Sequence, residues 1–525
     1  WEETVVYEMH VGTFTPEGTL AAAAQKLPHL ARLGVTAIEV MPLAECPGRF
    51  NWGYDGVNWF APSHVYGPYD AFKAFVDAAH AEGIGVILDV VYNHFGPDGN
   101  YLREFSPFYF SRRATEWGDA IDFEGPQSAA VRELVIANAC EWVREFHLDG
   151  LRLDATQAIF DASEPHVVAE LAAAVRLAAA GRRVVMIAEN EPQCAWHLLP
   201  AEEGGFGLDA MWNDDFHHSA MVAATGRREA YYHDYFGSAQ EFVSTAMRGF
   251  LYQGQYYPWQ KQPRGAPLRG PAWQCVAFLQ NHDQVANSAT GQRLHALTSP
   301  GLHRALTATL LLGLQTPMLF MGQEFSASSP FLFFADHEPE LRRLVHDGRR
   351  EFLAQFPGLA SADGRALIPD PGSEADFTRC KLDWDECHDG NPALRLHRDL
   401  LELRREDPVL RAQGRRGFDG AVLTTEAFVL RWFDEAAGDR LLLVNLGADI
   451  RDRPLPEPLL APPRGRRWQL RWSSDHADYG GGGGIDPQPE QGWLVPGQSA
   501  CLLVAVPQEK SSNRRQEKAQ EEKPP

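Results

Sequence analysis

Gly150-Leu151-Arg152-Leu153-Asp154-Ala155 reads as a buried strand that ends in a carboxylate. Leu151 and Leu153 suit a strand packed inside a barrel, and Ala155 lets the chain turn. Arg152 stands two residues before Asp154, so the pleat directs both side chains to one face. A guanidinium beside a carboxylate favours the ionised form. An ionised carboxylate at the C-terminal end of a barrel strand is what a glycosidase nucleophile needs. An Arg–Asp ion pair that merely closes a strand would leave the same trace, so the rest of the chain has to decide.

Working outward, apolar strands alternate with helical periodicity. Val5–Val11, Thr36–Met41, Val86–Tyr92, Gly150–Ala155, Arg183–Ala188, Asp209–Trp212, Cys275–Leu279 and Met318–Met321 read as strands. Helical spacing separates them, for example over Leu20–Leu33, Ala71–Ala81, Ala129–Phe146 and Leu302–Leu314. Alternating strands and helices imply a parallel sheet, and eight units in about 400 residues predict a (β/α)8 TIM barrel. A doubly wound open sheet is the alternative, but no glycine-rich phosphate loop follows the first strand. The barrel is expected over 1–408, with a short insertion after the third strand, at 93–128, rich in Gly, Pro and aromatics. Beyond Pro408 short strands predict a C-terminal antiparallel β domain, read as a β-sandwich over 409–507. The charged 508–525 reads as a disordered tail.

Composition narrows the function. Of 525 residues 44% are hydrophobic, enough for a sizeable core, and the net charge is 48 − 70 = −22. That balance argues against nucleic acid or an anionic membrane surface and favours a neutral substrate. The seven Cys form no CxxC pair, so neither a zinc site nor a disulfide framework is expected. The longest apolar stretch, Leu306–Leu314, is too short to span a bilayer. The chain starts at Trp1 with neither initiator Met nor signal peptide, which reads as a fragment or processed chain of the cytoplasm. Nothing in the sequence fixes an oligomeric state.

Four strand ends carry polar clusters: Asp89, Asn93 and His94; Arg152 and Asp154; Glu189; His282 and Asp283. In a barrel such ends converge on one site. Asp154 is expected to attack an anomeric carbon. Glu189, after the apolar Val184–Ala188, is expected to stay protonated as general acid. Asp283 would stabilise the cationic transition state, with His94 and His282 as hydroxyl donors. Each has a plainer reading: His94 as a core histidine, Glu189 as a helix cap, Asp283 as a loop acid, and Asp89, inside its strand, as structural. All falling at strand ends by chance is the less economical account.

Asp89-Val90-Val91-Tyr92-Asn93-His94, Gly150–Ala155, Ile187-Ala188-Glu189-Asn190 and Asn281-His282-Asp283 resemble, in order, the four signature regions of the α-amylase superfamily, glycoside hydrolase family 13. The resemblance implies Asp154 as nucleophile, Glu189 as proton donor and Asp283 as transition-state stabiliser, with Tyr54, His94, Arg152 and His282 lining the subsite of the cleaved sugar. Tyr7–Thr15, Trp212–His218, Asn281–Gln284 and Pro330–His337 resemble the malto-oligosyltrehalose trehalohydrolase family. It implies release of trehalose from glucan chains that end in a trehalose unit, with malto-oligosyltrehalose and related α-1,4-glucans as partners. It further implies substrate-binding runs comprising Arg152, Thr156 and Gln157; Asp214, Asp215, Phe216, His217 and His218; and His282, Gln284 and Asn287. Members carry a β-sandwich ahead of the barrel that is absent here, so part of the aglycone-side surface or of the stability is expected to be missing. Thr156-Gln157 replaces the Lys-His that ordinary α-amylases often have after the nucleophile, which counts against plain starch hydrolysis. Although many superfamily members bind calcium, 93–128 has no dense run of acidic ligands, so neither metal nor cofactor is expected. A glycogen branching enzyme and a non-catalytic glucan-binding barrel are the competing readings; the second is disfavoured because all three carboxylates are present.

Overall fold

The computed structural model describes residues 1–451, 455–484, 487 and 492–508. Eight strands close into a parallel barrel in chain order: β1 (Val6–Met9), β2 (Ala37–Val40), β3 (Gly85–Val90), β4 (Gly150–Leu153), β5 (Val185–Ala188), β6 (Ala210–Asn213), β7 (Cys275–Phe278) and β8 (Thr316–Phe320). β1 pairs with both β2 and β8, which closes the ring. The expected helix over Leu20–Leu33 divides into Leu20–Ala24 and Leu27–Leu33, with Pro28 in the first turn of the second piece. Proline has no N–H to continue the earlier helix but fits a first turn.

The strands alternate between two environments. Residues facing out join the large core under the helices, among them Leu88, Leu151, Leu153 and Met186. Those facing in form a separate interior cluster that includes Val6, Ala37, Ile87, Val185, Ile187, Ala210, Trp212 and Phe278. By the two-residue period, Glu8, Glu39, Asp89 and Arg152 share that inner face, one layer closer to the strands' C-terminal ends. The barrel therefore has an apolar bottom and an ionic top. Gly150 is required by crowding: a Cβ there would lie 2.6 Å from the Val185 side chain and 2.8 Å from its carbonyl oxygen.

The insertion after β3 contains a short helix, Leu102–Phe105, and a hairpin of Phe110–Thr115 with Gly118–Ile121. After the barrel come β9 (Phe418–Val422), β10 (Ala427–Trp432), β11 (Arg440–Asn445), β12 (Arg466–Ser473) and β13 (Ser499–Pro507), in antiparallel order β9-β10-β11-β13-β12. This corrects the expected β-sandwich: the described residues there make one five-stranded sheet. The barrel itself supplies the second layer, since Phe428, Leu430, Leu442, Val444 and Leu502 pack into its core. Irregular chain covers the other face, where Val429, Leu443, Trp468 and Leu503 meet Ile450, Leu460 and Val495. Trp468 and Trp472 are buried, with their indole N–H groups given to Leu460 and Tyr479. The charged tail from residue 509 lies outside the described residues. No described helix is long and apolar enough to cross a membrane.

Candidate active site

β4 ends abruptly. Ala155 takes φ 41° and ψ 54°, a left-handed conformation costly for a residue with a Cβ. The turn follows Asp154, whose N–H still bonds the Val90 carbonyl at 3.1 Å, and aims the Ala155 N–H at Glu189 Oε2, 2.8 Å away. Glu189 is held from its backbone as well. Its carbonyl accepts from the Thr156 N–H and hydroxyl at 2.9 and 2.7 Å.

Arg152 is the hub. Its Nη1 lies 2.8 Å from Asp89 Oδ1 and 2.7 Å from Asp154 Oδ1, and its Nη2 lies 3.0 Å from Glu189 Oε2. Its guanidinium stacks over Trp212 at 4.2 Å. Asn93 Nδ2 donates to Asp154 Oδ2 at 2.8 Å, so each oxygen of that carboxylate has its own donor and the group is fixed in plane. Burial pushes Glu189 up to about 8; the Arg152 charge opposes this and Asp154 adds to it. One guanidinium thus joins a carboxylate next to it in the strand to a second one that burial keeps protonated at neutral pH.

Tyr54 closes one side of the site. Its hydroxyl donates to Asp89 Oδ2 at 2.6 Å and lies 3.0 Å from His282 Nε2. That hydroxyl has a single proton, so Nε2 must supply the proton of the second contact. His282 Nδ1 meets Glu8 Oε1. Both ring nitrogens therefore carry protons, in accord with a pKa raised by Glu8 against the pull of burial. His94 bonds Asn93 and the Tyr54 carbonyl, and burial lowers its pKa. Asp89, expected as structural, is part of the network; burial raises it to about 6 against Arg152.

On a second wall, Asp214 begins the helix Asp214–Thr225. Burial lifts it to about 7; Arg264 opposes the rise, and Glu191, Asp215 and Asp283 reinforce it. Arg264 holds Glu191 through its Nη1. Half-buried Asp283 lies within electrostatic reach of Asp214, His282, Tyr231 and Arg349. Gln284 Oε1 accepts from both Tyr231 and Tyr232, and Asn287 Nδ2 reaches Tyr231 at 3.4 Å. Gln157 Oε1 accepts from the Glu191 N–H.

The structure separates part of the expected binding set from the pocket. Asp215 is fully buried, its oxygens taken by Tyr235, Arg264 and the Leu251 and Tyr252 N–H groups. Phe216 packs on Phe242 in the core. His217 is fully buried between the Leu279 carbonyl and Tyr232. His218 lies one turn below Asp214, enclosed by Tyr231, Tyr232 and Tyr235. Helical geometry accounts for Asp215, Phe216 and His217, which turn to other faces; His218, one turn on, shares the face of Asp214 but is closed over by Tyr231 and Tyr232. Thr156 is buried and serves Glu189 and Asn190. Sequence reading missed Glu8, Glu191, Arg264 and Tyr231. Glu8 had a signal, as an acid on the inward face of an otherwise apolar strand; the other three had none. Among the described residues no group of three or more His, Cys, Asp or Glu is placed to hold a metal ion.

A closed parallel barrel with three acids around one arginine at its mouth defines an α-amylase-type glycosidase barrel. Residues 7–117 match the model of the α-amylase catalytic domain, and 415–502 match a domain of unknown function. The chain belongs to the malto-oligosyltrehalose trehalohydrolase family. It is 45% identical over 461 residues to the malto-oligosyltrehalose trehalohydrolase of Deinococcus radiodurans, covering 86% of this chain and 73% of that one. It is 44% identical over 412 residues to that of Arthrobacter ramosus, covering 77% and 71%. The crystal structure of a putative α-amylase from Salmonella typhimurium superposes with a TM-score of 0.82 at 37% identity, covering 96% of this chain and 82% of that one.

Proposed function

We propose that this chain hydrolyses the α-1,4 bond next to the terminal trehalose unit of malto-oligosyltrehalose, with retention of configuration. The observation that carries the mechanism is the shared guanidinium, which couples Asp154 to a Glu189 that burial keeps protonated near neutral pH. Asp154, held in plane by Arg152 and Asn93, attacks the anomeric carbon. Glu189 gives its proton to the glycosidic oxygen, and trehalose leaves. Glu189, now a carboxylate, takes a proton from water as that water opens the glycosyl–Asp154 ester. Asp283 and protonated His282 bind the hydroxyls of the sugar under attack. The family membership supports the trehalose-releasing specificity.

Asp214 is the residue we assign to selectivity. The α,α-1,1 linkage turns the terminal glucose, so a different set of hydroxyls meets the wall of Asp214 and Glu191. A straight α-1,4 chain would leave buried acceptors unmatched, at about 1–3 kcal/mol each. The test is kcat/KM on maltotriosyl-trehalose and on a malto-oligosaccharide of equal length, for the wild type and Asp214→Ala. Wild type should strongly prefer the first, and the substitution should cut that preference. Equal wild-type rates on the two substrates, or equal losses in the variant, would refute the assignment.

A further inference from the structure

The inner face of the barrel holds one acid with no cation of its own. Glu39 is 1% exposed, faces the barrel axis on β2 and stands in register with Glu8 of β1. Glu8 is engaged by His282, and Asp89 by Arg152 and Tyr54. The Arg152 Nη atoms are taken by Asp89, Asp154 and Glu189. Three buried polar atoms of this layer, Glu39 Oε2, Arg152 Nε and Trp212 Nε1, lack a partner at full hydrogen-bond geometry, and the Trp212 N–H lies close enough to the Glu39 carboxyl to favour its anion. The three side chains are neighbours: Arg152 stacks on Trp212, and both act on Glu39.

We propose that Glu39 is a positioning residue, a neutral carboxylic acid set beneath Arg152 that holds the guanidinium and Trp212 in place while leaving the positive charge to Asp89, Asp154 and Glu189. An ionised Glu39 would be a buried anion between Glu8 and Asp89, with Arg152 already shared among three other acids. Arg152 and the Trp212 N–H pull the other way. Burial outweighs them, and Glu8 and Asp89 add to it, raising the Glu39 pKa well above the ordinary carboxylate range. An anion here would also compete for Arg152 and shift the proton affinity of Glu189 across the same guanidinium.

The inference rests on the reading of Glu189 as general acid, and the experiment separates the two. Glu39→Gln keeps the shape and neutrality of the acid; Glu39→Leu removes the polar partner. Infrared difference spectra of wild type and Glu39→Gln at neutral pH, without substrate, should show one buried carboxylic acid C=O band lost in the variant. Glu39→Gln should keep kcat within about twofold and leave the alkaline limb of the pH profile in place. Glu39→Leu should lower kcat roughly tenfold or more, because the Trp212 N–H loses the carboxyl it faces and Arg152 loses the polar neighbour beneath it. A Glu39→Gln profile shifted to lower pH with no acid band lost would mean that Glu39 is an anion, and the proposal fails. A folded Glu39→Leu with wild-type kcat and profile would mean that it positions nothing. If Glu39→Leu does not fold, the band and the Glu39→Gln profile decide. A wild type with no alkaline limb would overturn the role of Glu189, while the band would still report on Glu39.

Discussion

Glu189→Gln tests the acid at the centre of the site. The glutamine keeps the backbone contacts of Glu189 with Thr156 and replaces the carboxyl with an amide that cannot give up its proton. Burial raises the pKa of Glu189 from 4.5 to about 8. At about 1.4 kcal/mol per unit, the protonated form is favoured by several kcal/mol relative to water. The wild-type kcat/KM should therefore be flat through neutral pH and fall about tenfold per unit above about 8, as the proton is lost. In Glu189→Gln that limb should vanish. On maltotriosyl-trehalose, whose leaving alkoxide needs the proton, kcat/KM should fall by about 10²–10⁴. On an aryl malto-oligosaccharide with a good leaving group it should change little, since kcat/KM reports the first displacement. The turnover number should still fall, because water loses its base in the second step. Asp214→Asn supplies an internal check: Asp214 is one of the acids that raise Glu189, so the wild-type limb should move to lower pH in that variant. The assay is initial rates on both substrates across about pH 5 to 10. A limb that persists in Glu189→Gln, or equal losses on the two substrates, would refute the assignment.

Asp154→Asn should lower turnover by about 10⁴ or more with the far-ultraviolet circular dichroism unchanged, since the amide still occupies the place between Arg152 and Asn93. Near-normal activity would move the nucleophile elsewhere. Proton NMR of early product should show the sugar with the new reducing end first as the α-anomer; initial β-anomer would exclude a double displacement. Asp215→Ala should cost about 3–5 kcal/mol in denaturant unfolding, because it takes from buried Arg264 one of its two acids and leaves the Tyr235 hydroxyl and two N–H groups without their acceptor. A variant as stable as wild type would show that Glu191 alone compensates Arg264.

The sequence by itself determined the barrel and the cluster of acids at its rim. Strand pleating depends only on local chain geometry, so the two-residue spacing of Arg152 and Asp154 was enough to put both on one face. The apolar run before Glu189 likewise announced an acid pushed toward its neutral form, which burial produces. Helical rotation is equally local: of the run Asp214–His218, which the resemblance assigned to binding, Asp215, Phe216 and His217 turn to other faces, while His218 shares the face of Asp214 and is covered by tyrosines. Tertiary structure alone decided which acids share Arg152. Asp89 and Glu189 reach it from different strands at hydrogen-bond distance, and no spacing in the chain encodes that. It also decided the C-terminal domain. Two runs buried at every position, Ala427–Trp432 and Arg440–Asn445, fit a sheet covered on both faces. Whether the cover is a second sheet, or the barrel on one side and irregular chain on the other, depends on long-range packing that strand patterns do not carry.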